Sequence, residues 1–212
     1  MDETRNPNQQ YGVPLAIYQE RYRALDPEEI SRRSGVPYDS SLNVFSMTVM
    51  GFDLLASWPE FTLKPQDVRC PSVLCGDEVQ ILLIRYLIEG SKAEPTGAFF
   101  SYRELPWGEV YDQNFQGRCR ARLAHGFNGK LDVFKKACQY LGGVPIKKGD
   151  AAYDLRFIPG VTIRLILWSG DEEFPPQSQW LFSDNTPLAF TAEDVACMGD
   201  VIIGSLKEMA KR

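Results

Sequence analysis

Histidine is almost absent from this chain: His125 is the single histidine among 212 residues. A zinc site rich in histidine, or an acid/base pair of histidines, needs at least two imidazoles, so neither can be built within one chain. The sequence also lacks the glycine-rich dinucleotide and phosphate-binding motifs, the Gly-x-Ser-x-Gly element, the His-Glu-x-x-His motif and the kinase signatures. These absences weigh against the common enzyme classes, and the sequence favours a non-enzymatic function.

Basic charge and long apolar runs are also scarce. The 23 Lys and Arg residues are outnumbered by 28 Asp and Glu residues, which argues against a nucleic-acid partner. The longest apolar stretch, 79–88, is interrupted by Gln80 and Arg85 and is shorter than the ~18 residues that a membrane span needs. Because the N-terminal residues show no apolar signal segment either, we expect a cytoplasmic protein without a membrane partner.

The five cysteines are odd in number and contain no Cys-x-x-Cys pair. This usage is typical of reduced and mostly buried thiols. The nearest two are Cys70 and Cys75, for which a metal or redox role is the lesser alternative.

The order of elements predicts one domain. Residues 1–12 are polar and predict a flexible leader, so the domain is expected over 13–212. Hydrophobic periodicity predicts helices and strands in mixed order, with a hairpin at Pro159-Gly160 and a capped helix from Thr191. The predicted helices are 15–25, 27–34, 77–89, 115–127, 131–141 and 192–209, and the predicted strands are 44–50, 52–58, 61–63, 151–158, 161–168 and 180–182. This mixture favours an α+β fold with a largely antiparallel sheet and helices gathered on one face.

A cluster of carboxylates follows the strand that ends at Trp168. Asp171, Glu172 and Glu173 are consecutive, and Asp184 ends the next predicted strand. Carboxylates at the end of a strand can hold a hard cation or an amine, with Asp184 as a further metal ligand if the strands pair side by side. The alternative, which we favour, is a solvated turn with Phe174 folded back into the core.

The loop 101–108 combines aromatic and charged side chains. Tyr102 and Trp107 offer flat apolar walls, and Arg103 and Glu104 offer polar groups that can orient a ligand. Arg103 can clamp a carboxylate or a phosphate with two hydrogen bonds. The alternative is that Tyr102 and Trp107 pack on the core while Arg103 pairs with a nearby acid.

Arg118, Arg120 and Arg122 precede His125 near the end of a predicted helix. The arginines are expected to form a solvated face paired with acids, and recognition of an anion is the alternative. His125 is typical of a cation at a helix end, with metal ligation as the alternative.

Several motifs together resemble one prokaryotic family, catalogued as domain of unknown function 3786. They are the stretches 101–106, 141–143, 149–153, 167–175, 181–184 and 191–194, of which the Trp-x-Gly-Asp-Glu-Glu-Phe-Pro element is the most specific. The resemblance implies a compact single domain and a place in anaerobic metabolism, because some members lie near corrinoid-dependent methyl-transfer systems. Some members also carry a cysteine-rich segment suited to an iron–sulfur cluster, which this sequence lacks. The family offers no catalytic residues to carry over.

The leading hypothesis is therefore a soluble ligand-binding or accessory protein, for a corrinoid such as cobalamin, a haem or another tetrapyrrole, or for the enzyme that uses it. The site would join Tyr102, Arg103 and Trp107 to the turn 171–173, and His125 is the only histidine that could ligate the metal of the cofactor. One alternative is a metal-dependent or acid/base enzyme that uses these carboxylates with Arg103 as anion clamp. Another is a scaffold that meets other proteins.

Overall fold

The computed structural model describes the backbone from Pro7 to Arg212 and the side chains from Leu15 onwards. Residues 1–6 of the predicted leader lie outside the described residues, and the first helix begins at Pro7. The helices are α1 (Pro7–Arg23), α2 (Pro27–Ser34), α3 (Asp77–Glu89), α4 (Gly108–Phe115), α5 (Arg122–Phe127), α6 (Leu131–Tyr140), α7 (Thr186–Ala189) and α8 (Ala192–Met209). The strands are β1 (Tyr38–Asp39), β2 (Val44–Val49), β3 (Phe52–Ser57), β4 (Leu63–Pro65), β5 (Phe99–Ser101), β6 (Val144–Pro145), β7 (Ala151–Ile158), β8 (Val161–Trp168) and β9 (Gln177–Ser183).

The strands form two antiparallel sheets, which confirms the α+β class. The first sheet has the order β1-β2-β3-β4, and the second has the order β5-β9-β8-β7-β6. The prediction named one sheet, whereas strands β1 to β4 pair only with one another and form a sheet separate from that of β5 to β9. A backbone hydrogen bond from Met50 to the carbonyl of Phe157 (3.1 Å) links the two sheets, and one continuous core packs against both.

The second sheet has a helix-covered face and a more open face. Leu155, Ile163 and Leu165 are fully buried on the face toward the helices, where α6 packs on β7 and α5 on β9. Arg156 and Arg164 alternate with them and lie on the open face. In this sheet the helices are gathered on one side, as predicted.

Local signals place the helix ends where the sequence predicts them. Asp26 caps α2 by accepting the backbone N–H of Glu28 (3.0 Å), and the left-handed Gly35 ends that helix. Thr191 and Asp194 form the predicted capping box of α8. The predicted helix over 115–127 is not a regular α-helix throughout. Its middle, Gln116–Ala121, is π-helical and connects α4 directly to α5. No helix in the described part of the chain has the length and apolarity that a membrane crossing requires.

Candidate functional site

Tyr102 lies in the core and not in the wall of an open site. Its ring stacks on Phe115 at a centroid distance of 4.0 Å, and its hydroxyl donates to the carbonyl of Ala192 (2.9 Å). Burial raises the pKa of Tyr102 to about 12. The residue therefore anchors the loop 101–108 to α4 and α8, as the alternative interpretation expected.

The charged residues of the same loop have partners close by. Arg103 donates to Glu109 (2.7 Å) on the surface, and this hydrogen bond raises the pKa of the guanidinium. Glu104 accepts the backbone N–H and the hydroxyl of Ser101 (both 2.7 Å), and the hydroxyl bond is the main cause of its lowered pKa. Both side chains thus stabilise the loop itself.

Trp107, unlike Tyr102, faces solvent, so the alternative in which both rings pack on the core holds for Tyr102 alone. Its side chain is 79% exposed, and its backbone is left-handed with φ of 66°. It borders a cavity of about 310 Å³ together with Arg85, Tyr111 and Phe190. Of the residues predicted for ligand binding, Trp107 is the one placed at the wall of a described cavity.

The acidic turn is organised by its own backbone. The carboxylate of Asp171 accepts the N–H groups of Glu173 (2.9 Å) and Phe174 (2.8 Å), and these bonds lower its pKa. Glu172 and Glu173 are exposed. Phe174 is 62% exposed, so the expected return of its ring to the core is wrong. The side chain of Asp171 closes the turn as in an Asx turn, and the ring of Phe174 lies on the surface of this turn.

Asp184 cannot join this cluster, because β9 separates the two. The acidic turn precedes Gln177, where β9 begins, and Asp184 follows Ser183, where it ends. A strand of that length spans roughly 20 Å. Asp184 instead accepts the hydroxyl (2.5 Å) and the N–H (3.1 Å) of Thr96, and the hydroxyl bond is the main cause of its lowered pKa.

The two halves of the predicted site have different neighbours. Trp168 ends β8 and is 38% exposed. Beyond it, Ser169 donates to Asp150 (2.8 Å) and Gly170 to Asn128 (3.1 Å). The loop 101–108 contacts α4 and α8 instead. None of the cavities described here is lined by both segments.

The basic helix is paired with acids, as predicted. Arg118 and Arg122 both form ion pairs with Asp200 of α8, and Arg120 pairs with Asp112 (2.8 Å). His125 is exposed near the end of α5. Within the part of the chain that the structure describes, no three His, Cys, Asp or Glu side chains are arranged to hold a metal ion.

A cavity of about 430 Å³ lies where the two sheets meet, and we call it the inter-sheet cavity. It is bounded by the end of α2, by β2, by the loop 92–95 and by the β7–β8 hairpin. Its apolar walls are formed by Val36, Met47, Ile158 and Pro159.

The walls of the inter-sheet cavity are held by polar contacts. The side-chain amide of Asn185 donates to the carbonyls of Ala93 (2.6 Å) and Gly160 (2.9 Å), which ties the loop 92–95 to the hairpin. Tyr86 donates to the carbonyl of Ser34 (2.7 Å) and fixes the end of α2. The cavity is therefore built largely in advance of any ligand.

Two cations border the inter-sheet cavity. Lys92 pairs loosely with Glu94 (3.7 Å), and both of these side chains are largely exposed. Arg156 has no ion-pair or hydrogen-bond partner among the described residues. Beside it on the open face of the sheet, Arg164 is neutralised by Asp154 through two hydrogen bonds (2.8 and 2.9 Å).

Arg156 was not among the predicted site residues, although the alternation of polar and apolar residues in β7 places it on the solvent face. Asp154 and Arg156 alternate with apolar residues in β7, so they share the solvent face of the predicted strand. Which of the neighbouring arginines Asp154 pairs with depends on the register of the hairpin. That register contains a bulge between Arg156 and Ile158, which a turn motif alone does not reveal.

Comparison with protein families matches residues 26–205 to one family model, described as a domain of unknown function (DUF3786). This match confirms the resemblance seen in the sequence motifs. No curated protein and no solved structure matches the chain.

Proposed function

The chain belongs to the DUF3786 family, and from the geometry of its inter-sheet cavity we propose that it binds a small anionic molecule there. The observation that carries this proposal is Arg156, a guanidinium without an acidic partner among the described residues, at the border of a cavity of about 430 Å³. Cavities that hold small molecules are of this size, and they combine apolar walls with a few polar groups that fix orientation.

The lining of the cavity favours a ligand with an apolar body and one acidic group. Met47, Ile158 and Pro159 offer the apolar contacts. The guanidinium of Arg156 presents a planar set of donors that matches a carboxylate or a phosphate. Lys92 and Glu94 also line the cavity, and because they pair loosely (3.7 Å) their charges offset each other. The hydroxyl of Thr162, which also lines the cavity, is a further donor.

This proposal keeps the ligand-binding class predicted from the sequence and moves the site. A corrinoid or haem ligand stays a prediction, and it would need a different location, because His125 does not line the inter-sheet cavity. Titration of the full chain with cobalamin or haem, followed by visible absorption, tests it: a shift of the cofactor bands that disappears in His125→Ala would support histidine ligation.

The anionic ligand is tested with a fluorescent probe that has the same chemistry. The probe is 8-anilinonaphthalene-1-sulfonate, which joins an apolar ring system to one negative charge. We expect Arg156→Gln to weaken its binding about tenfold, because a hydrogen bond to a charged group contributes about 1.5 kcal/mol or more. Arg156 is exposed, so the substitution should leave the fold unchanged.

Two controls isolate the cavity from general charge effects. Arg32→Gln removes an exposed arginine of α2 that does not line the cavity, and it should leave the affinity unchanged. The uncharged parent, N-phenyl-1-naphthylamine, should bind the Arg156→Gln variant and the wild type equally. The proposal is refuted if the sulfonate probe binds both variants as tightly as the wild type, or if both variants lose affinity equally.

A further inference from the structure

An apolar patch surrounds the cavity that Trp107 borders. Trp107 and Tyr111 line this cavity, and Val110 lies on the same side of α4 as Trp107. Leu188 follows Pro187, which also lines the cavity. The side chains of Trp107, Val110, Tyr111 and Leu188 are 52–79% exposed, and we call them the Trp107 face. Large apolar side chains that lie together on a surface mark a place where another molecule binds.

The Trp107 face contains both a projection and a depression. The indole ring of Trp107 faces solvent, and beside it lies the cavity of about 310 Å³, with walls from Pro106, Tyr111 and Phe190. The left-handed backbone of Trp107 (φ of 66°) is uncommon for a bulky residue, and such conformations are concentrated at sites of binding. A surface with a projection beside a depression can pair with a second copy of itself across a twofold axis.

The charges at the Trp107 face also suit a second copy. The chain as a whole carries a net charge of -5, so two copies in general repel each other. Near Trp107, however, Arg103 and Glu109 present both signs of charge: they form an ion pair (2.7 Å), and they are 64% and 72% exposed. Across a twofold axis, the arginine of one copy can therefore meet the glutamate of the other.

We propose that the Trp107 face is a self-association surface at which two copies of the chain pair about a twofold axis. Each copy inserts Trp107 into the cavity of the other, and Arg103 pairs with Glu109 of the partner subunit. The cavity of the Trp107 face shares no lining residue with the inter-sheet cavity, so this pairing is independent of the ligand proposed there.

The available area sets the strength of the pairing. An aromatic side chain removes about 150–250 Å² from water when it is fully buried. At their present exposures of 79% and 52%, Trp107 and Tyr111 of two copies contribute roughly 400–650 Å². Val110, Leu188 and the polar rim add to this area, which brings the contact toward the lower end of specific interfaces, about 1,200 Å². Dissociation in the micromolar range is therefore expected, and the monomer and the dimer should both be observable.

Sedimentation velocity of the full chain at concentrations from about 1 to about 100 μM tests the proposal, since this range brackets micromolar dissociation. We expect the average mass to rise from that of one chain toward that of two. Trp107→Asn should weaken the association at least about tenfold, the scale of a buried tryptophan at an interface. Asparagine accepts a left-handed backbone, so circular dichroism should show an unchanged fold. The matched control, Phe174→Asn, removes an exposed ring of the acidic turn and should leave the association unchanged.

A charge exchange distinguishes a twofold pair from other contacts. Arg103→Glu places negative charges opposite each other in the dimer, and Glu109→Arg places positive charges there, so each variant alone should associate less than the wild type. In an equimolar mixture, both ion pairs of the mixed dimer again join opposite charges. The mixture should therefore associate more strongly than either variant alone.

Three results would overturn the proposal. One is a wild-type chain whose mass stays that of a monomer up to the highest concentration. Another is a Trp107→Asn variant that associates as tightly as the wild type, which would place the contact elsewhere. The third is a mixture of the two charge variants that associates no better than its components, which would exclude a contact between Arg103 and Glu109 across a twofold axis.

Discussion

Gly108 offers a direct test of how the loop 101–108 is held. It is the first residue of α4, and a Cβ atom there would overlap the carbonyl oxygen of Tyr102 and lie 3.0 Å from its carbonyl carbon. The obstacle is backbone, which cannot rotate away as a side chain can. Tyr102 is itself fixed by its stack on Phe115 and by its hydrogen bond to Ala192. Gly108→Ala must therefore displace either the turn or the start of α4.

The cost of that displacement can be worked from the contacts it breaks. The N–H of Leu105 donates to Tyr102 (3.2 Å), and the N–H of Gly108 donates to Leu105 (2.8 Å). Each such bond contributes about 1 kcal/mol, and forcing extra volume into a packed site costs about 1–3 kcal/mol. We expect Gly108→Ala to lower the free energy of unfolding by about 3–5 kcal/mol, which in a chain of this length is about 6–20 °C in the melting temperature.

Urea denaturation followed by tryptophan fluorescence and by circular dichroism measures this loss. The matched control is Gly117→Ala in the π-helical segment, where a Cβ atom meets nothing within 4 Å. There the gain in helix propensity should stabilise the protein by about 0.5–1 kcal/mol. A Gly108→Ala variant within about 0.5 kcal/mol of the wild type would refute the close approach, since that is the scale of a neutral surface substitution.

Three further predictions concern stability. Arg164→Lys should lower the free energy of unfolding by about 1–2 kcal/mol, because lysine cannot keep both hydrogen bonds to Asp154 or the stacking on Phe99 (4.0 Å to the ring centroid); an unchanged urea midpoint would contradict it. Thr191→Ala should lower the free energy of unfolding by about 1 kcal/mol, because it removes the N-cap of α8. Thr191→Ser keeps a hydroxyl and should lower it much less, so equal melting temperatures of the two variants would contradict a capping role. The pKa of Tyr102 is about 12 in the folded protein, and its ordinary value is 10.0. The protonated hydroxyl therefore contributes its full stabilisation below pH 10, and this contribution is lost as the pH rises through 12. Tyr102→Phe should lose less stability than the wild type over that interval, and parallel pH profiles of the two proteins would show that Tyr102 is not the cause.

Signals confined to neighbouring residues predicted structure well. The spacing of Thr191 and Asp194 is sufficient to start α8, because a capping box involves only one turn of backbone. Pro159-Gly160 likewise gives the β7–β8 hairpin, since turn geometry depends on the two central residues. Such features need no knowledge of what packs against them.

The grouping of the carboxylates failed for a reason that is also physical. The sequence makes Asp184 a further ligand if the strand over 180–182 pairs beside the strand that ends at Trp168. The two strands do pair, but they are antiparallel, so that Trp168 faces Gln177 and Asp184 lies beyond the other end of β9. The strand instead runs over Gln177–Ser183, because pairing with β8 on one side and β5 on the other extends it beyond its apolar centre. Residues before and after one strand lie at its opposite ends, and the added length separates them.

The position of Arg156 depends on a single extra residue in β7. With a regular ladder from the Ile158–Val161 pair, Asp154 would face Leu165 and a buried leucine would face Arg164. The bulge shifts the register, so that Asp154 faces Arg164 and Arg156 faces Thr162.

That shift places apolar residues opposite apolar residues and Asp154 opposite Arg164, and these pairs stabilise the sheet despite the bulge. Asp154, the one acidic residue of β7, therefore pairs with Arg164, and Arg156 has no acidic partner among the described residues. The same bulge leaves Phe157 outside the ladder, and its carbonyl accepts the hydrogen bond from Met50 that joins the sheets. One backbone irregularity thus accounts both for a hydrogen bond between the two sheets and for an arginine at the cavity border that has no acidic partner among the described residues.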